Sequence, residues 1–227
     1  MTLRITGHRG ALAVAPENTM RSFQAAVDAG VDEIELDVHL SVDGYLVVIH
    51  DETLDRTTDG SGPVSAHTWA EIAVLDAGLG ERVPQLDEVL DRFPDTAFQI
   101  EVKAAAATAA VLDAVRERGD RGGAIVITSF LPEAIAPALT GDRTWRVGLI
   151  CGRNEPGKPD LAEELGVDQL YLHWDVAAAP VIAGRPVYVW PCNDVASVRR
   201  AADEGFAGLT TDDPAGAVAA RAALRPA

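Results

Sequence analysis

Three acidic residues fall at spacings that put them on shared faces of extended chain. Glu35 and Asp37 stand two apart in Glu33-Ile34-Glu35-Leu36-Asp37-Val38, so both side chains leave one face while Ile34, Leu36 and Val38 leave the other. Glu101 alternates with Ile100 and Val102 in the same way, and Lys103 follows two positions on, pointing with it. Three carboxylates brought together repel one another, so either one takes up a proton or a cation sits among them. All-oxygen ligation suits Mg2+ or Ca2+, and less specifically Mn2+. The lack of a cysteine or paired-histidine set argues against structural zinc. A salt-bridge network with Arg9 and Lys103 is the competing account of the same residues.

Two histidines stand at the ends of strand-like runs, His8 before Arg9-Gly10 and His50 before Asp51. Imidazole titrates near neutrality, so one neutral and one protonated ring serve as general base and general acid across a reacting centre. A lone strand-end histidine is more often structural, and it is the pairing beside the acids that favours catalysis. Arg9 and Lys103 offer a phosphate a guanidinium fork and a point charge, or else compensate the carboxylates. Lys103 and Lys158 are the only lysines in the chain. Trp190 is either a flat wall for a carbon skeleton or a barrel-capping core residue.

The elements that must position these groups follow from short apolar runs alternating with amphipathic segments, the pattern of a parallel sheet with crossover helices. Strand candidates are 4–8, 33–39, 45–50, 97–103, 124–130, 146–151, 169–174, 186–192 and 208–211. The first two strands of the acidic region are joined only through Leu40-Ser41-Val42-Asp43-Gly44, too short for a helix and right for a hairpin with an Asp-Gly turn. The run 45–50 is therefore expected antiparallel, with His50 opposite roughly Asp37. Eight strands remain, with helical segments such as 18–29, 86–93, 105–118 and 195–204, which is the count of a (β/α)8 TIM barrel. Residues 51–84, rich in Asp, Thr, Gly and Ser, form an expected short insertion after strand 2 within a single domain, 1–227. The active site of such a barrel lies at the C-terminal strand ends, where His8, Glu35, Asp37, Glu101, His173, Trp190, Asn193 and Asp212 fall.

Composition narrows the partners. The chain has 227 residues, 48% hydrophobic and 24% charged, so a sizeable core is available. A formal net charge of −16 repels a nucleic-acid backbone. Cys151 and Cys192 match no metal-ligand spacing and are expected as free thiols, with one disulfide between them as the alternative. No run approaches the ~20 apolar residues of a membrane span, and residues 1–7 lack a signal-peptide core. A cytoplasmic protein without stable membrane association is the expectation.

The blocks Gly7-His8-Arg9-Gly10, Pro16-Glu17-Asn18-Thr19, Glu33 to Val38, His50-Asp51 and Leu54-Asp55-Arg56-Thr57-Thr58-Asp59-Gly60 stand in that order, followed by Glu101-Val102-Lys103, Ser129-Phe130, Trp190 with Asn193, and Thr211-Asp212-Asp213-Pro214. This series resembles the glycerophosphodiester phosphodiesterase family over nearly the whole chain. The resemblance implies a metal-dependent TIM barrel that hydrolyses glycerophosphodiesters to glycerol 3-phosphate and an alcohol. It implies Glu35, Asp37 and Glu101 as ligands of one divalent cation and His8 and His50 as the acid/base pair. Arg9 and Lys103 would contact phosphate, Glu17 metal or glycerol hydroxyls, and Trp190 would line the glycerol pocket. A compatible route passes through a cyclic phosphate; direct attack by water is the alternative. Three departures bear on substrate choice: a short segment 75–84, Pro191 where relatives usually carry threonine, and His173-Trp174-Asp175 after strand 6.

Three rivals remain on the same scaffold. A lysophospholipase D-like phosphodiesterase requires an apolar groove or amphipathic surface, of which an acidic chain with 5% aromatic residues shows little. A metal-assisted barrel lyase or isomerase would use a base on a carbon-bound proton, and Arg9 beside His8 favours phosphate over an enolate. A non-catalytic binding barrel would have lost some of the five metal and acid/base candidates, all of which are present.

Overall fold

The run 33–40 is buried on both faces almost throughout, as happens where a strand packs helices outside and points its other side chains into a closed barrel. In the computed structural model, which describes residues 2–119 and 124–224, it is the second strand of such a barrel. Met1, residues 120–123 and residues 225–227 of the expected domain lie outside the described residues.

The elements in chain order are β1 (Arg4–Gly7), α1 (Met20–Ala29), β2 (Glu33–Leu40), β3 (Leu46–Val48), α2 (Trp69–Ile72), α3 (Leu86–Arg92) and β4 (Phe98–Val102). There follow α4 (Thr108–Glu117), β5 (Ile125–Ser129), α5 (Pro132–Ile135), β6 (Arg146–Cys151), α6 (Leu161–Leu165) and β7 (Gln169–His173). The chain continues with β8 (Val181–Ile182), β9 (Arg185–Trp190), α7 (Val195–Asp203), β10 (Gly208–Thr211) and α8 (Pro214–Ala223). Eight of the strands pair in parallel in the order β1-β2-β4-β5-β6-β7-β9-β10, and β10 returns to β1 to close the barrel. This is the (β/α)8 architecture expected from the sequence.

Outside the barrel, Ile34, Leu36 and Val38 of β2 and Ile100 and Val102 of β4 are fully buried in the layer that includes Phe23 of α1, Leu90 of α3 and Val111 of α4. Each such side chain contributes about 1.5–3 kcal/mol on burial. Inside, Tyr171 and Tyr188 stack with ring centres 5.0 Å apart beside Val126 and Ile150, so the lower barrel is packed. A Cβ at Gly148 would meet the Tyr171 ring at 2.7 Å, and one at Gly208 the Tyr188 ring at 2.6 Å. Only glycine leaves the strands room for these rings. Cys151 and Cys192 are free and buried.

The hairpin forms as expected, antiparallel with Val38 opposite Val48, and Gly44 takes the left-handed conformation its turn requires. The antiparallel strand is shorter than 45–50, however: it spans Leu46–Val48, Ile49 still donates to the Asp37 carbonyl, and beyond it the chain leaves the ladder. Ile49 rather than His50 lies across from Asp37, and His50 begins the insertion. A tenth strand, β8, escaped the sequence pattern: two residues paired antiparallel to β9 are too few to show alternation. Helix α1 begins at Met20 rather than at 18, since Thr19 caps it by accepting from Ser22 N and Asn18 has a positive φ. Leu54, Val64, Ile72, Ala77 and Val83 of the insertion form a second small core with Val47 and Ile49 from β3 and its end. No described helix is long and apolar enough to cross a membrane.

Candidate active site

Strands β2 and β4 place the acids as their spacing requires. Glu35, Asp37 and Glu101 are buried, and one carboxylate oxygen from each lies within 4.8 Å of the others. Parallel pairing sets Asp37 directly beside Glu101. Asp37 is the most enclosed; it accepts from Asn18 Nδ2 at 2.9 Å and lies 3.3 Å from Arg9 Nε and 3.4 Å from Lys103 Nζ. Lys103 also reaches Glu101 at 2.6 Å, and Glu35 accepts from the Arg9 backbone N–H at 2.9 Å. Arg9 holds a φ of 48° and Asn18 one of 56°, sparsely populated for non-glycine residues, and both conformations turn donors toward the acids.

The charge balance is uneven. Burial and the Asp37 carboxylate push Glu35 up to about 8 and Glu101 up to about 7. Burial also works against Asp37, but Lys103 and Arg9 hold it below the usual carboxylate range. Lys103 and Arg9 therefore secure the charge of Asp37, while Glu35 and Glu101, buried and crowded against it, hold their protons toward neutral pH in the absence of a further cation. Three hard oxygen donors this close, two of which ionise readily only beside a further cation, fit a divalent ion such as Mg2+ or Ca2+.

The raised carboxyl pKa values have a thermodynamic sign. Carboxyls whose folded pKa is raised favour the protonated form, so the stability they provide is present below the ordinary carboxylate pKa and is lost as pH rises through about 7 and about 8. His8, with its raised pKa, acts in the same direction, and His39 and His50, with lowered values, act against it. Metal-stripped protein is expected to melt at a lower temperature at pH 8 than at pH 5.5, and added Mg2+ or Ca2+ to raise Tm more at pH 8. Calorimetry in chelator, with Glu35→Gln flattening the dependence, checks this. A Tm that stays level or climbs toward pH 8 contradicts it.

His8 and His50 each have a carboxylate partner. His8 Nδ1 lies 2.6 Å from Asp212 Oδ1, and Asp212 is itself held by Asn193 Nδ2 at 2.6 Å and by its own N–H on Asn193 Oδ1. His50 Nδ1 lies 2.6 Å from Asp51 Oδ1, while the His50 carbonyl accepts from His39 Nε2 at 3.0 Å. Because the carboxylates accept, each ring carries its proton on Nδ1 and turns Nε2 outward. Burial opposes the charge of His8, but the Asp212 hydrogen bond and nearby Glu35 outweigh it and raise its pKa. For His50 burial prevails, aided by Lys103 and Arg9, and lowers it despite Asp37 and Asp51.

His8, Arg9, Glu35, His50, Glu101 and Trp190 line one cavity, with Phe130, Pro191 and Tyr171 on its apolar side. The remaining expected residues support it from outside the lining: Asp37 and Lys103 by the ion pairs above, and Glu17 by accepting from Arg9 Nη1 at 2.7 Å. Trp190 packs edge-on against Phe130 and His173, with ring centres 5.9 and 5.2 Å apart. His173-Trp174-Asp175, without a place in the sequence reading, braces this wall: Trp174 Nε1 donates to the Pro191 carbonyl and Asp175 N donates to His173 Nδ1. Sequence reasoning gave no role to Asn18, Asp51, Arg56 or Asp212. Asp51 and Asp212 carried a local signal, each being acidic at an element end, but the partner of Asp212 is 204 residues away.

A closed β/α barrel with acids, histidines and cations gathered at its C-terminal mouth has the form of a barrel enzyme. The model of the Glycerophosphoryl diester phosphodiesterase family matches residues 8–216, and the chain belongs to that family. A glycerophosphodiester phosphodiesterase of Caldanaerobacter subterraneus is 33% identical over 94% of this chain and 96% of its own length. The crystal structure of a glycerophosphodiester phosphodiesterase from Agrobacterium tumefaciens superposes with a TM-score of 0.82 at 33% identity, covering 96% of this chain and 99% of the other. A phosphodiesterase of Oleispira antarctica, solved in complex with the product sn-glycerol-3-phosphate, gives a TM-score of 0.84 at 26% identity, with 96% of each chain covered.

Proposed function

We propose that this chain, acting as one domain with the insertion 51–84 as part of its mouth, hydrolyses glycerophosphodiesters to glycerol 3-phosphate and an alcohol. The observation that carries the reading is the single cavity in which two carboxylate-paired histidines flank the acidic cluster. Glu35, Asp37 and Glu101 are the residues that would hold one divalent cation, Mg2+ or Ca2+. When bound, it would supply a Lewis acid that polarises a phosphoryl oxygen and stabilises developing charge.

The residues of the chain divide the remaining work. Arg9 and Lys103 offer cationic donors to phosphate oxygens, and Trp190 with Phe130 gives the glycerol carbons an apolar wall. The lowered pKa of His50 suits it to accept the proton of the glycerol 2-hydroxyl as that oxygen bonds to phosphorus. The bond from phosphorus to the alcohol oxygen breaks, and His8, with its raised pKa, gives that oxygen a proton. In the second half His8 takes a proton from water, which opens the cyclic phosphate, and His50 returns its proton to the glycerol 2-oxygen. Glu17 holds Arg9 in place.

The test is release of glycerol 3-phosphate from glycerophosphocholine by metal-stripped protein, with and without restored Mg2+ or Ca2+. Release that depends on the cation is the expected result. No release from several glycerophosphodiesters, with the cation bound, overturns the reading.

A further inference from the structure

The motif Leu54 to Gly60 enters the site through one side chain. Arg56 donates from Nε to Asp51 Oδ2 at 2.6 Å and from Nη2 to Asp51 Oδ1 at 2.9 Å. It donates to Glu17 from Nη1 at 2.8 Å and from Nη2 at 2.7 Å. One guanidinium thus grips two carboxylates in bidentate fashion, a geometry that lysine does not reproduce. Asp51 is the partner of His50, and Glu17 is the partner of Arg9, which in turn faces Asp37. Both halves of the mouth therefore meet at a residue that touches neither the acidic cluster nor either imidazole.

The insertion gives Arg56 its footing. Leu54 is buried in the insertion's core, its N–H bonds the Gly62 carbonyl, and its carbonyl accepts from Thr58 N. Arg56 lies between these anchors with its side chain 47% exposed.

We propose that Arg56 is a positioning residue for the His50–Asp51 pair, and that holding it over the barrel mouth is a function of the insertion. The proposal rests on His50 acting as the base. An aspartate bonded to a histidine alone favours the imidazolium, whereas one shared with a guanidinium orients the ring while much of its field is cancelled. His50 is also faced by Asp37 from β2, Lys103 beyond β4 and Arg9 beyond β1, with His39 on its carbonyl. Without Arg56 the balance among these shifts toward a charged ring.

The experiment compares Arg56→Ala, Arg56→Gln and Arg56→Lys with the unaltered metal-loaded enzyme, reading kcat and KM for glycerophosphocholine against pH. Loss of a precise geometry costs on the order of 10²-fold, so kcat is expected to fall by about 10–100-fold with little change in KM. The acid limb of the profile moves to higher pH in Arg56→Ala and Arg56→Gln. Millimolar guanidinium, which has access to this exposed site, restores part of the rate to Arg56→Ala, and Arg56→Lys does not substitute. A fall in kcat with an unmoved acid limb and no guanidinium rescue, or an unchanged kcat, overturns the proposal. Nitrogen NMR titration of the His50 ring in the same variants reads the shift without substrate. A shifted ring in an enzyme that cleaves no glycerophosphodiester would therefore count against the proposed reaction and not against the positioning role of Arg56.

Discussion

His50→Ala and His8→Ala are each expected to lower kcat for glycerophosphodiester hydrolysis by about 10²–10⁴-fold, the range for loss of a positioned acid or base. They should do so with opposite signatures. As the proposed base His50 would act when neutral, and its pKa is lowered, so it is expected to set the acid limb of the rate profile below the ordinary imidazole value. As the proposed acid His8 would act when protonated, and its pKa is raised, so it is expected to set the alkaline limb above that value. The acid limb disappears in His50→Ala and the alkaline limb in His8→Ala. A glycerophosphodiester with a nitrophenol leaving group needs no proton on departure, so it recovers rate in His8→Ala and not in His50→Ala. Recovery in the wrong variant, or loss of the same limb in both, would reverse or remove these roles.

The second large effect concerns the acidic cluster. Glu35→Gln is expected to abolish cation-stimulated hydrolysis, a fall of about 10³-fold or more if several kcal/mol of charge stabilisation are lost at about 1.4 kcal/mol per tenfold. The same substitution should raise the Tm of metal-stripped protein near pH 8, because a neutral amide replaces a carboxylate already pushed up to about 8. Asp37→Asn should also silence the enzyme but lower Tm, since it strips Lys103 and Arg9 of the carboxylate they share. The two substitutions thus move stability in opposite directions while both remove activity. Calorimetry with and without cation, alongside release of glycerol 3-phosphate, reads both. Retained cation-dependent turnover in Glu35→Gln would exclude Glu35 as a ligand.

Much of the barrel was legible because its signals are periodic and local. Alternation in 33–38 and 98–102 placed Glu35, Asp37 and Glu101 on inward faces, and the short turn at Asp43-Gly44 excluded a crossover helix and made β3 antiparallel. The strand ends were less legible. Strand β3 stops at Val48 because the chain turns away into an insertion with its own core, and the hydrophobicity of Leu46 to Ile49 is the same whether it feeds one core or two. Two-residue β8 and four-residue α5 are too short for any period to register.

The amino-acid sequence alone determined the fold class, the family resemblance, and that Glu35, Asp37, Glu101, His8, His50 and Arg9 gather at the mouth, because strand period and strand-end position fix which side chains can share a face. The tertiary structure decided what those groups experience. Whether Asp37 or Glu35 holds its charge, and whether His8 or His50 gains a proton, depends on Lys103, Arg9, Asp212 and Asp51 at distances of a few ångströms. These couplings fall off with separation in space and are blind to separation along the chain. The clamp by Arg56 on Glu17, 39 residues away, is therefore visible only once the barrel has closed and the insertion has folded onto its mouth.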